Sequence, residues 1–272
     1  MSGGTPGLND GTGPGVRARL PAMSSFPTLH RPDVYPRSSA YDPAWVLGLD
    51  MGPHPLWLLE HLCRELDLRP GMRVLDLGAG KGATSVFLAR EFGVEVFAAD
   101  LWVAPDNAAA VHAAAGVADR VHAVRAEAHD LPFAKDHFDA IISVDAFEYF
   151  GTADGYLPYL AKFLKPGGQL AVATPGMTTE IRELGAIPAH IKNCVGWEAI
   201  AWHTPEWWRF QWEITDLVTV TSARLQPDGW ADWLLWVKAV AEHTGAHSPV
   251  VDMLEADQGE FLSFTLLTAR KN

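Results

Sequence analysis

The chain is short of cysteine, short of positive charge and free of long apolar runs, and each shortage removes a class of protein. Cys63 and Cys194 are the two cysteines among 272 residues. They are too few and too isolated for a disulfide framework or a zinc cluster, so free thiols in a reducing compartment are expected. Lysine and arginine number 21 against 33 aspartates and glutamates, a formal net charge of −12. Such a surface neither displaces counterions from nucleic acid nor spreads on anionic lipid, so no nucleic-acid or membrane partner is expected. No stretch of about 18 apolar residues is present to cross a bilayer. The opening MSGGTPGLNDGTGPG has neither the charged start nor the apolar centre of a signal peptide. The expectation is a cytoplasmic protein acting on a small apolar or cationic molecule, with oligomeric state left open.

What is present is apolar content, 48% of the residues, enough for one large domain carrying a cap. Residues 1–40 are rich in Gly, Pro and Ser and bury too little apolar area to offset their ordering, which predicts a flexible N-terminal arm ahead of a domain over 41–272. A helix is predicted at 54–67. Strand-like runs follow at 73–77, 94–99, 120–126, 138–144 and 168–174, separated by helical stretches near 81–92, 105–116 and 154–165. Apolar runs without polar alternation suit strands covered on both faces, so the expected core is α/β, a parallel doubly wound sheet. After Thr174 come an irregular helical cap over 176–203 and a helix at TPEWWRFQWEIT, with Thr204 as N-cap and Pro205 in its first turn. Strands at 217–225 and 261–269 flank a long insertion, 226–258.

The stretch VLDLGAGKGAT, residues 74–84, places glycines at 78, 80 and 82 where a strand turns into a helix. Without side chains there, backbone can approach a ligand and the helix N-terminus can face it. Alone, the pattern also satisfies the relaxed dinucleotide fingerprint, so an NAD-dependent oxidoreductase stays open. Asp76 tilts the choice: a carboxylate two residues before the first glycine suits a cationic ligand better than a pyrophosphate. A cap on the following turn is its competing role.

VLDLGAGKG, FAAD, AEAHDLPF, FDAIISVDAFEYF and FLKPGGQLAVATPG follow one another in order. Together they resemble the motifs of class I S-adenosylmethionine-dependent methyltransferases, in the small-molecule branch similar to the ubiquinone and menaquinone enzymes. The resemblance is strong over 70–175 and leaves out 1–53 and 226–258. It implies a Rossmann-like, doubly wound, seven-stranded, mostly parallel sheet with the last strand antiparallel, and S-adenosylmethionine as cofactor. Asp76, Gly78, Ala79 and Gly80 would cradle its methionine portion. Asp100 would accept both ribose hydroxyls, Leu101 and Trp102 would flank the adenine, and Glu127 with the Ala128 amide would read the adenine edge. Ser143 and Val144 would lie under the sulfonium. His129 and Asp130 read as solvated loop residues.

Methyl transfer from a sulfonium is an in-line displacement, so the protein mainly aligns the nucleophile and excludes water. A hydroxyl or amine acceptor must also lose a proton. Many relatives carry His at or beside the position of Glu148; this chain has Glu148 and Tyr149, which makes Glu148 the first candidate base and Asp145 the second. A helix-start role competes for Glu148. Eight of the eleven tryptophans lie after residue 195. Trp208 with Trp212, and Trp230 with Trp233, fall at helical spacing and read as core or subunit contacts. Tyr149, Trp197, Trp202 and His203 are the candidate acceptor-pocket residues. Displacement at carbon needs no Lewis acid, so no metal is expected. The function expected is methyl transfer to O, N or C of a small molecule, plausible in specialised metabolite biosynthesis, with a non-methylating nucleoside-binding cyclase as a further alternative.

Overall fold

The computed structural model describes residues 26–151 and 155–272. Its strands are β1 (Arg73–Leu77), β2 (Glu95–Asp100), β3 (Val121–Arg125), β4 (Phe138–Val144), β5 (Leu164–Met177), β6 (Val218–Leu225) and β7 (Leu262–Lys271). They form one seven-stranded sheet in the order β3-β2-β1-β4-β5-β7-β6. The first five are parallel, and β7 runs antiparallel to both β5 and β6. This is the doubly wound sheet the apolar runs predict, reversed beside β1, where the chain crosses from β3 to β4 and opens a crevice at the strand ends.

The helices are α1 (Pro43–Gly48), α2 (Pro55–Cys63), α3 (Ala83–Phe92), α4 (Pro105–Ala114), α5 (Tyr156–Leu160), α6 (Ile181–Leu184), α7 (Ala189–Val195), α8 (Pro205–Glu213), α9 (Gly229–Thr244) and α10 (Pro249–Asp257). The sheet separates two cores. Val74 of β1 packs in one with α2, α3 and the insertion helices, while Leu75 and Leu77 face the other with Trp208 and Trp212 of α8. Thr204 caps α8 as its sequence implies, its hydroxyl accepting from Trp207 N at 3.2 Å. The helix predicted over 154–165 is shorter: α5 gives way to a 3-10 turn, and Leu164 already pairs with Phe138 as the start of β5.

The expected arm needs correction over its second half; residues 1–25 lie outside the described residues. From Phe26 onward the segment packs on the domain, with Leu29 and Tyr35 buried. Local composition misses this because the partners are distant in sequence. Arg31 and Tyr35 both donate to Asp232 of α9. Gln226 Nε2 donates to the same carboxylate at 3.0 Å, and the Tyr35 hydroxyl lies 3.1 Å from His61 Nε2. Asp232 is buried, and burial holds its carboxyl above the usual range. Removing a buried acid strands its partners. Asp232→Ala is therefore expected to lower unfolding free energy by about 3 kcal/mol, read from urea denaturation followed by circular dichroism.

Candidate active site

A cavity of about 240 Å³ opens at the carboxyl ends of the parallel strands. Its floor is the bend after β1, residues 78–81. Asp100, Leu101 and Trp102 after β2, and Ala126, Glu127 and Ala128 after β3, form one wall. Val144, Asp145, Ala146 and Tyr149 after β4 form the other. Gly78 and Gly80 hold φ of +78° and +54°, a region that side chains disfavour. Space forbids substitution as well: a Cβ on Gly78 would stand 2.3 Å from Ala146 Cβ.

Asp100 organises the bend electrostatically. Its Oδ2 accepts from Gly80 N at 2.9 Å, and its Oδ1 accepts from Trp102 N and Val103 N, each at 2.8 Å. Ala79 donates to Ala99 O at 3.1 Å and lines the cavity, as does the Ala128 backbone region. Leu101 and Trp102 are exposed at the mouth, where the Trp102 ring meets that of Tyr149 edge-on at 5.9 Å. Glu127 lies in the wall and is tied to His129, whose Nδ1 sits 2.8 Å from Glu127 Oε1 and whose Nε2 sits 2.9 Å from Phe150 O. Both partners accept, so the doubly protonated ring satisfies both, and Glu127 holds the His129 pKa above its ordinary value. His129 thus braces the wall while its side chain stays exposed to solvent.

Several expected positions move. Asp76 is buried away from the cavity wall. Its Oδ2 accepts from Thr84 Oγ1 at 2.6 Å and Ser85 Oγ at 2.5 Å, hydroxyls in the first turn of α3, and no side chain caps that helix; among the described residues its Oδ1 has no hydrogen-bond partner. Burial pushes its carboxyl up to about 6. Ser143 is also out of the wall: its Oγ donates to Leu77 O at 2.8 Å and ties β4 to β1. Val144 does line the cavity.

The two candidate bases separate. Asp145 lines the cavity in a left-handed conformation, φ +52°, anchored by its N–H to Ala173 O at 2.7 Å. No hydrogen-bond donor among the described residues reaches its carboxyl, and its pKa is raised well above the ordinary value by burial first, then by Glu148 and Asp50. Glu148 is buried behind the wall, accepting from Thr174 Oγ1 at 2.8 Å. Burial pushes its carboxyl up to about 7 against the pull of its hydrogen bonds.

Of the candidate acceptor residues, Tyr149 alone lines this cavity. Trp197 is 74% exposed, and Trp202 is buried edge-on against Trp233 at 6.0 Å. His203 stacks on Trp207 at 3.5 Å and pairs with Glu180 at 3.0 Å. Of the cap's two tryptophans, Trp202 fills core because its indole finds the Trp233 ring before the crevice, and Trp197 faces solvent.

Residues 74–168 match the family model for a methyltransferase domain. Methyltransferase GfsG of Streptomyces halstedii is 34% identical over 144 residues, 51% of this chain and 48% of that protein. Demethylmenaquinone methyltransferase of Corynebacterium urealyticum is 34% identical over 152 residues, 53% of this chain and 62% of that protein. Over residues 74–168 the chain carries a methyltransferase domain. It spans about half the length of the first of these relatives. In fold, the chain is similar to the geranyl diphosphate C-methyltransferase of Streptomyces coelicolor, with a TM-score of 0.65 and 18% identity, covering 79% of this chain and 78% of that one. The [4+2]-cyclase SpnF shares the fold at a TM-score of 0.62 and 19% identity, with 79% of each chain covered.

The crevice of this methyltransferase domain is closed by a part of the chain that the motifs do not contain. Leu49, Met51, Gly52, Pro53 and Pro55 form a strap over the cavity between α1 and α2. Met51 lies over the bend, its Sδ 2.9 Å from where a Cβ on Gly80 would stand. Lys81 Nζ donates to Asp50 O at 3.1 Å, binding strap to bend. In sequence, DMGPHP reads only as a Gly/Pro linker; it carries no periodicity that points to a ligand.

Proposed function

We propose that the cavity binds S-adenosylmethionine and that the protein transfers its methyl group to a small-molecule acceptor by in-line displacement. The carrying observation is that a side-chain-free bend and the Asp100 carboxylate share one cavity with the free carboxyl of Asp145. The residues present fit the cofactor: Gly78, Ala79 and Gly80 offer backbone at close approach, and the α3 N-terminus faces it. Asp100 accepts the ribose hydroxyls with the lone pairs its three amide contacts leave free. Leu101, Trp102 and the 127–128 backbone flank the adenine, and Asp76 supports the bend from below through α3.

When bound, the cofactor supplies an electrophilic methyl on a cationic sulfur, so the chain's own task is alignment, exclusion of water and removal of a proton. Asp145 stands in the wall where an acceptor proton would be released, and its raised pKa makes it a stronger base than an ordinary carboxylate. Glu148, one turn behind, raises that pKa by its charge. The rim of Met51, Leu101, Trp102 and Tyr149 with an acid beneath supports an apolar or cationic acceptor over an anionic one.

Titration calorimetry with S-adenosylmethionine and S-adenosylhomocysteine tests the cofactor assignment, with saturable one-site binding expected. No binding by the wild-type chain would remove it, and binding of NADH instead would favour the oxidoreductase. Incorporation of labelled methyl into a co-incubated small molecule separates a methyltransferase from a cyclase that holds the nucleoside without spending its methyl.

A further inference from the structure

The insertion between β6 and β7 plays no part in the reading above, yet one of its indoles reaches the cavity strap. Trp236 of α9 is fully buried. Its Nε1–H is shared between Asp50 Oδ1 at 3.0 Å and Gly52 O at 2.9 Å. Its ring also meets His54 edge-on at 4.4 Å, and His54 stacks on Trp57 at 4.0 Å between the wall residues Pro53 and Pro55. The indole therefore fixes the strap on both sides of Met51, while Lys81 holds Asp50 from the bend. Gly52 in turn is pressed on Asp145: a Cβ there would stand 2.2 Å from Asp145 Oδ2. Asp232, one helical turn before Trp236 and so on the same face of α9, grips Arg31 and Tyr35. The insertion thus holds the N-terminal segment at two points, the second directly over the crevice.

We propose that Trp236 is a positioning residue for the cavity: it holds residues 50–52 over the glycine bend and against Asp145, and so sets how long a bound nucleoside is retained. The inference rests on the cofactor reading above. A cover of this kind acts on escape. Without the indole N–H, Asp50 and Gly52 lose their shared donor, the strap lifts more often, and a ligand beneath it leaves sooner. Entry through the mouth at Trp102 and Tyr149 does not need the strap to be held.

Trp236→Phe keeps the ring's bulk and removes the donor. Stopped-flow binding of S-adenosylhomocysteine is expected to show a dissociation rate raised about tenfold, with the association rate within about twofold of wild type. Trp230→Phe is the control: its Nε1 donates to Leu254 O at 2.8 Å inside the insertion and does not touch the strap, so wild-type kinetics are expected. Unchanged dissociation in Trp236→Phe overturns the proposal, and so does an equal rise in the control, which would mean general loosening. Should Trp236→Phe fail to fold, Asp50→Ala removes one acceptor and leaves the indole in place; faster dissociation supports the proposal and an unchanged rate overturns it. Absence of binding by wild type removes the cofactor reading and this inference together, whereas binding with unaltered kinetics in the variants removes this inference alone.

Discussion

Replacing Asp100 by alanine is expected to lower affinity for S-adenosylhomocysteine by about 100-fold while leaving the fold intact. A hydrogen bond to a charged acceptor contributes about 1.5–3 kcal/mol. Two ribose hydroxyls at the lower figure total about 3 kcal/mol, or two decades in Kd. The variant also frees the amides of Gly80, Trp102 and Val103, which the carboxylate now holds, so the bend itself slackens. Asp100→Asn separates the two contributions: the isosteric amide keeps the shape and one accepting oxygen, and an intermediate loss is expected. Calorimetry gives the affinities, and circular dichroism with a thermal scan checks the fold. Wild-type affinity in Asp100→Ala would refute the ribose assignment.

Asp145→Asn is expected to lower turnover by about 10²–10⁴, the contribution of a positioned base, with cofactor affinity held. Turnover is read with the acceptor that methyl labelling identifies. The pH dependence follows from two carboxyls held above their ordinary values, Glu148 at about 7. Because the pair interacts, the titration belongs to both groups together. Rate should rise with pH as Asp145 ionises. Glu148→Gln removes the neighbouring charge, lowers the Asp145 pKa and moves the rising limb to lower pH with turnover largely kept. Loss of turnover across the whole pH range in Glu148→Gln would instead make Glu148 the base.

The same shifts fix a sign for stability. A carboxyl whose folded pKa is raised favours the fold while protonated, and that contribution is lost as pH rises from the unfolded carboxylate range through the folded value. Between about pH 4 and about pH 7 for Glu148, stability should therefore decline. Asp145→Asn, being neutral throughout, should flatten that decline in urea titrations repeated across the range.

The parts of the site that were legible in the sequence are those built by neighbours in sequence. The bend and Asp100 follow from strand, glycine and strand-end acid, and the structure sets residues 78–81 and Asp100 in one cavity. Thr204 and Pro205 announce α8 because capping is settled within four residues. Asp76 and Ser143 were misplaced because both face partners rather than the crevice. A strand's alternation assigns a face, and the hydroxyls of Thr84 and Ser85 and the Leu77 carbonyl then capture the side chains. For the same reason the order of the two acids, Glu148 before Asp145, could not be read from DAFEY: a left-handed turn at Asp145 brings one carboxyl forward and leaves the other behind it.

The sequence by itself determined the doubly wound sheet, the methyltransferase domain over 74–168 and the floor of the crevice, because apolar runs, glycines and strand-end acids act over a few residues. Only the tertiary structure decided what covers that floor. Residues 26–55 show no repeating apolar pattern, and part of their order comes from bonds to residues nearly two hundred positions away, Tyr35 to Asp232 and Gly52 to Trp236. Contacts of that range leave no local periodicity, since the energy that holds the segment resides in a helix the chain has not yet reached.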